Sequence, residues 1–323
     1  MNKIAVFTSG GDSPGMNACI RAVARAGIYR KIQVMGIRRG YEGMIDGEFI
    51  PLDSSSVSNI IQRGGTILKS ARSKRFMTSG GRGQAADHLM QHGIEGVIAI
   101  GGDGTFRGAK EFSGECGIPF VGIPGTIDND LFGTDFTIGY DTAINTVVRA
   151  IDQIRDTANS HDRLFFIEVM GRDAGFIALR SGIGSGAECV LVPETRTDID
   201  QVIATLEQGW GRKKSSSIIV VAEGDDAGGA FEIAKMVNQK FSQYDTRVTI
   251  LGHVQRGGSP TAMDRVLASE LGVAAVDALL AGKRNIMIGK LHREISGTSF
   301  EKATKHHMDI NANLLRLVEI LSV

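Results

Sequence analysis

The sequence predicts an α/β protein built on parallel sheets with helices on both faces. Two observations carry that expectation. Short runs that are apolar almost throughout alternate with longer segments of helical periodicity, the pattern of strands buried on both faces. In addition, 42 of the 323 residues are glycine, close to twice the roughly 7% of an ordinary chain. The glycines are not periodic; they gather just after the apolar runs, where tight loops belong.

The first run, Ile4-Ala5-Val6-Phe7, reads as a strand, and a helix follows over 16–29. A second strand over 97–100 ends in GGDGT and passes into another helix. A third, over 118–123, ends in PGTIDND (124–130). Over 142–158, Ile144, Val147, Val148, Ile151 and Ile154 mark one helical face. Further strands are predicted at 164–169, 190–192, 218–221 and 248–251, and a long helix at 263–280. No repeat, low-complexity tract or Pro-rich linker marks a boundary, and the length suits one large or two ordinary domains.

Composition narrows the function classes. A hydrophobic share of 42% and a charged share of 22% are those of a globular protein. Acidic and basic residues balance at 36 each, so no net field points to nucleic acid or a membrane as partner. MNKIAVFTSGG reaches glycine too soon for a signal peptide, and no apolar stretch approaches the roughly 18 to 20 residues of a bilayer span. Cys19, Cys116 and Cys189 are widely spaced in apolar contexts, which leads us to expect reduced, packed thiols and a cytoplasmic protein.

Three loops share one design: apolar strand, glycines, an aspartate, then a helix. They are TSGGDSPGMN (8–17), IGGDGTFRGA (100–109) and PGTIDND. Ligands of open α/β sheets bind at the carboxyl ends of strands, where such loops converge. Glycines let backbone N–H groups approach phosphate oxygens, and a helix N-terminus adds a favourable dipole. Neither a Gly-Lys-Ser/Thr loop nor a G-x-G-x-x-G fingerprint occurs, which disfavours both a P-loop and a nicotinamide-dependent oxidoreductase. Asp103 either holds Mg²⁺ through one or two carboxylate contacts plus water or caps the following helix. Arg72, in SARSKRF, is a candidate for neutralising phosphate charge. PGTIDND alone reads equally as a surface turn; as a site, it puts positions 126, 128 and 130 on one side of an extended segment.

A second set of strand ends carries Arg172 in IEVMGRDAG, Glu223 in VVAEGDD, and His253 and Arg256 in ILGHVQRGGSP. An acid, a histidine and two arginines suit a ligand bearing both hydroxyls and a phosphate, because arginine forks bind phosphate bidentately. A histidine alone is more often structural, but the place of His253 within LGHVQRGG favours the ligand reading.

TSGGDSPGMNA, IQRGGT, GGDGT, PGTIDND, EVMGR and LGHVQRGGSP occur in this order along essentially the whole chain. Together they resemble the bacterial ATP-dependent 6-phosphofructokinases (group A). The resemblance implies two doubly wound α/β domains with the active site in the interdomain cleft. The larger, ATP-binding domain would take 1–138 and 252–301, and the smaller, fructose 6-phosphate-binding domain 139–251 and 302–323. By resemblance, Gly11, Arg72, Ser73, Gly102, Asp103, Gly104 and Thr105 form the ATP site, with Asp103 facing Mg²⁺. Asp128 is the general base for the sugar 1-hydroxyl, Thr126 and Asp130 position groups around it, and Arg172 stabilises the transferring phosphoryl. Ile127, Met170, Gly171, Glu223, His253, Val254, Gln255 and Arg256 join these as the sugar-phosphate site. Arg163 and Arg247 reach it from a neighbouring subunit of a homo-oligomer, by family habit a homotetramer.

The family also has a pyrophosphate-dependent branch, in which the last glycine of GGDG is typically Asp and the glycine of PGTIDND typically Lys. Gly104 and Gly125 therefore point to ATP. An effector site for ADP or phosphoenolpyruvate is implied at Arg21, Arg25, Arg155, Glu188, Arg212, Lys213 and Lys214, although Arg21 and Arg25 also read as the solvated face of a helix. LDSSSVS has Ser54 where the familiar pattern has an arginine, so a reduced or altered effector response is expected. SARSKRF also departs from the common pattern after Arg72. A catalytically silent, nucleotide-binding paralogue would have lost the base or the metal aspartate, whereas Asp103, Asp128 and Arg172 are all present.

Overall fold

A computed structural model describes residues 1–160, 163–212, 216–305 and 309–322. In chain order it runs β1 (Lys3–Thr8), α1 (Met16–Tyr29), β2 (Gln33–Ile37), α2 (Gly40–Asp46), β3 (Phe49–Pro51), α3 (Ser79–Gln91), β4 (Gly96–Gly101), α4 (Asp103–Cys116), β5 (Phe120–Pro124) and α5 (Tyr140–Asn159). Then follow β6 (Arg163–Val169), α6 (Phe176–Ser185), β7 (Cys189–Leu191), α7 (Ile199–Gly211), β8 (Ser217–Ala222), α8 (Ala230–Lys240) and β9 (Asp245–Ile250). The last elements are α9 (Ala262–Leu280), β10 (Ile286–Leu291), β11 (Glu294–Ser299), α10 (Phe300–Lys305) and α11 (Ala312–Leu321). The chain divides into two compact units, Met1–Thr142 with Arg256–Met308, and Ala143–Gln255 with Asp309–Val323.

In the first unit the sheet order is β11-β10-β5-β4-β1-β2-β3. The five inner strands are parallel, as the continuous apolar runs predict. The two edge strands differ from that expectation, because β3 and β11 are antiparallel to their neighbours. The hairpin from β10 to β11 closes through His292 and Arg293, whose φ values of 50° and 74° are the left-handed pair that a type I′ turn requires. Alternation within the strands splits the core. Ile4, Val6, Ile98, Ile100, Val121 and Ile123 pack on one face with apolar residues of α1 and α9. Ala5, Phe7, Val97, Ala99 and Phe120 pack on the other with Tyr41, Phe106 and Phe112.

The second unit has a wholly parallel sheet, β7-β8-β6-β9. Leu164, Phe166, Ile219 and Val221 bury one face against α7 and α8, and Ile167, Val169, Ile218 and Val220 are buried on the opposite one. Strand order reverses beside β1 in the first sheet and beside β6 in the second. Those are the places where crossovers leave to opposite faces and open a crevice at the strand ends.

Among the described residues no helix is long and apolar enough to cross a membrane. The three cysteines are free; Cys19 is buried and Cys116 and Cys189 are partly so. Burial pushes the Cys19 thiol up, and the Cys189 thiol up to about 12, so neither carries thiolate chemistry near neutrality.

Candidate active site

The three glycine loops of the first unit meet at the carboxyl ends of three adjacent central strands. Register pairs Thr8 with Ile100 and Gly101 with Pro124. Beyond the strands, Ser9 N–H donates to the Ile100 carbonyl and Gly125 N–H to the Gly101 carbonyl, each at 3.0 Å. A Cβ on Gly11 would lie 2.4 Å from Arg256 Nη1, so a side chain there would displace the guanidinium. That nitrogen donates to the Asp12 carbonyl at 3.4 Å. Arg256 thus packs on the first glycine loop.

Asp103 opens α4. Gly102 takes the N-cap position with no side-chain cap, so the capping alternative for Asp103 does not hold. Its Oδ2 instead accepts from Arg107 Nη2 at 2.8 Å, one helical turn on. The described residues contain no cluster of three or more His, Cys, Asp or Glu that could cage a metal. A single accessible carboxylate beside glycine N–H groups fits Mg²⁺ of the kind that keeps its waters and is carried in by substrate phosphates. Thr105 is buried, and its carbonyl accepts from Tyr41 Oη at 2.6 Å. Arg72 is exposed; Ser73 is half-buried, and its hydroxyl donates to Glu42 Oε2.

PGTIDND is no surface turn. Thr126, Ile127, Asp128 and Asn129 are all buried, Asp128 to 3% exposure. The segment is not extended either: it bends at 127–128, and Asn129 takes φ 54°. Positions 126, 128 and 130 therefore do not share one side in the way an extended segment would place them, and local bonds position the residues instead. Asp128 N–H donates to Thr126 Oγ1 at 3.2 Å. Asn129 is the residue that sequence reasoning missed. Its Oδ1 accepts Thr137 N–H at 2.7 Å and its Nδ2 donates to the Asp135 carbonyl at 3.2 Å, closing the loop behind Asp128. Asparagine tolerates left-handed φ better than other non-glycine residues, and that was the available signal.

In the second unit, the ends of β6 and β8 converge on one carboxylate. Glu223 Oε1 accepts Gly171 N–H at 3.3 Å and Arg172 N–H at 2.8 Å. Gln255 is fully buried, and its Oε1 accepts Met170 N–H at 3.3 Å. Its Nε2 donates to the Gly252 carbonyl at 3.0 Å, which leaves His253 and Val254 exposed. Arg163 and Arg247 are not brought to this place. Arg163 begins β6, about 20 Å from the strand's far end at roughly 3.3 Å per residue. Both arginines pair with Asp245, at 3.1 and 2.6 Å.

The expected effector residues divide between the two units. Arg21 and Arg25 lie on α1 of the first unit. In the second, Arg155 Nη2 donates to the carbonyls of Ser185 and Gly186 at 2.7 and 2.9 Å, with Glu188 Oε1 at 3.9 Å from its Nη1. Arg212 reaches the Ser322 carbonyl at 3.3 Å. Lys213 and Lys214 lie outside the described residues.

A phosphofructokinase family model matches residues 3–279. The chain belongs to the phosphofructokinase family. It is similar to the ATP-dependent 6-phosphofructokinase of Cytophaga hutchinsonii, 57% identical over 322 residues covering 100% of this chain and 98% of that one. ATP-dependent 6-phosphofructokinase 2 of Bacteroides thetaiotaomicron is 55% identical over 320 residues, 99% and 98% of the two chains. ATP-dependent 6-phosphofructokinase 1 of Thermus thermophilus is 56% identical over 323 residues and the full length of both. Among solved structures, the phosphofructokinase of Saccharomyces cerevisiae superposes with TM-score 0.89 at 36% identity. The match covers 94% of this chain but only 45% of the yeast chain, so this protein spans less than half of its length. The pyrophosphate-dependent phosphofructokinase of Marinobacter aquaeolei, 22% identical with TM-score 0.84 over 98% and 91% of the chains, shares the fold.

Gly104 and Gly125, the two glycines expected to bear on the phosphoryl donor, sit in different surroundings. A Cβ on Gly104 would meet nothing within 4 Å. One on Gly125 would lie 2.9 Å from Ile100 Cγ2 and 3.2 Å from Met16 Cε. The first position is open space; the second is closed by the core.

Proposed function

We propose that the protein is an ATP-dependent 6-phosphofructokinase, transferring the γ-phosphoryl of ATP to the 1-hydroxyl of fructose 6-phosphate. The products are fructose 1,6-bisphosphate and ADP. The observation that carries this reading is end-to-end identity of 55, 57 and 56% with three proteins of that name.

In this reading 1–138 and 252–301 bind ATP, and 139–251 and 302–323 bind the sugar phosphate. Gly11, Arg72, Gly102, Gly104 and Thr105 receive the nucleotide. Asp103 would hold Mg²⁺ on the nucleotide, where a divalent cation neutralises phosphate charge. Asp128 takes the 1-hydroxyl proton as the oxygen attacks phosphorus, and Thr126 fixes its backbone. Asp130 orders the groups around it. Arg172 faces the charge spread over the transferring phosphoryl. Its N–H is anchored by Glu223, so one carboxylate both orients that arginine's backbone and lines the sugar site with Met170, Gly171, His253 and Arg256. Arg163 and Arg247 act on the sugar phosphate of a neighbouring subunit, which makes a homotetramer the working form. ADP and phosphoenolpyruvate bind near Arg21, Arg25, Arg155, Glu188, Arg212, Lys213 and Lys214 with a reduced or altered response, because Ser54 supplies no charge.

The test is a coupled assay with ATP and with pyrophosphate as donors. Turnover of fructose 6-phosphate with ATP is expected; turnover with pyrophosphate alone overturns the reading.

A further inference from the structure

SARSKRF departs from the family pattern just after Arg72, and the fold gives that departure a use. Three neighbouring residues at α2 each hold a different piece of the nucleotide side. Arg39 N–H donates to the Leu68 carbonyl at 2.8 Å, in the strap that leads to Arg72. Tyr41 Oη donates to the Thr105 carbonyl at 2.6 Å, and its ring stacks on Phe76 with centroids 4.0 Å apart. Glu42 receives the Ser73 hydroxyl on Oε2 and Arg75 Nη1 on Oε1, the latter at 2.8 Å. Arg75 continues to Asp46 Oδ1 at 2.7 Å, and Ser73 Oγ accepts Phe76 N–H at 3.1 Å.

The Glu42 side chain is 17% exposed; its charge-assisted bond to Ser73 is partly buried, and the one to Arg75 lies at the surface. They cross 31 and 33 residues of sequence and clamp the backbone on the C-terminal side of Arg72. We propose that Glu42 is a positioning residue for the nucleotide: it touches no substrate but, through Ser73 and Arg75, sets where Arg72 stands relative to the GGDGT loop. This rests on the reading of Arg72 and GGDGT as an ATP site. A free 70–77 segment must be ordered anew at each binding event, and that cost falls on nucleotide affinity alone. Chemistry at Asp128, fixed by its own bonds to Thr126, is untouched.

The test is steady-state kinetics of the full-length enzyme and its Glu42→Ala, Glu42→Gln and Arg75→Met variants. Each substrate is varied at saturation of the other, with a thermal melt for each protein. Glu42→Ala is expected to raise KM for ATP about three- to tenfold. Its kcat and KM for fructose 6-phosphate should stay within twofold of wild type. Glu42→Gln, which keeps an acceptor for the Ser73 hydroxyl, should recover part of the loss, and Arg75→Met should move the same parameter in the same direction. An unchanged KM for ATP, or a rise shared by both substrates, overturns the proposal while leaving the ATP reading intact. A wild-type enzyme without ATP-dependent turnover removes the reading and the proposal together.

Discussion

Asp264 accepts the backbone N–H of Thr142 at 2.8 Å and its hydroxyl at 2.5 Å, both on Oδ2, while Oδ1 takes the Gly139 N–H at 2.8 Å. This acid is 1% exposed and ties the first turn of α9 to the first turn of α5, the helix that follows the Asp128 loop. Removing it would break all three of these buried bonds. Asp264→Ala should therefore destabilise the protein by about 3 kcal/mol, read by chemical denaturation. A loss below about 1 kcal/mol would show that the donors find other partners.

The same residue makes a pH prediction. Burial raises the Asp264 carboxyl above the usual carboxylate range, against the pull of its hydrogen bonds. A carboxyl whose folded value is raised adds stability that is fully present below its unfolded value, about 3.9. That contribution is lost as pH rises through the folded value. The lead in melting temperature of wild type over Asp264→Asn should accordingly narrow as pH climbs from about 4. A lead that widens over that interval contradicts the burial argument.

For the chemistry, Asp128→Ser should lower kcat by at least about a hundredfold, the usual worth of a general base, while the melting temperature changes little. The loop behind it is held by Asn129, which is why fold and turnover should separate. Near-normal kcat in the purified variant would remove Asp128 from the role of base.

Helix α1 coincides with its predicted span of 16–29, and the strands beside the glycine loops are placed within about two residues. Each buries both faces, so its apolar run is unbroken and visible. Less was legible where tertiary contact outweighs local pattern. The β10–β11 hairpin turns on His292-Arg293, which carries none of the Asn-Gly chemistry that signals such turns. The bend in PGTIDND depends on Asn129 reaching Thr137, eight residues on. The Glu42 contacts to Ser73 and Arg75 cross still longer stretches, so no local reading could assign them.

Gly104 and Gly125 predict opposite outcomes. Gly104→Asp places its side chain in open space, so stability should hold while kcat/KM for ATP falls at least about tenfold through repulsion at the α-phosphate. Gly125→Lys must push aside Ile100 and Met16, and overpacking of that kind costs about 1 to 3 kcal/mol. Paired measurements of melting temperature and ATP kinetics separate the two. Stability loss at position 104 with none at 125 would reverse the assignment.

The last prediction concerns Arg163 and Arg247, which Asp245 holds together far from Glu223 along β6. If they serve a neighbour's sugar phosphate, Arg247→Ser should raise KM for fructose 6-phosphate strongly and leave KM for ATP nearly unchanged. A mixture then discriminates between subunits. Arg247→Ser retains its own Asp128, and a partner carrying Asp128→Ser retains its own Arg247. Hybrids formed by co-expressing the two variants should contain sites with one intact residue from each chain. Their activity at low fructose 6-phosphate should exceed the sum of the two parents. Activity no greater than that sum would mean that Arg247 acts within its own chain, and the shared-site arrangement would fall.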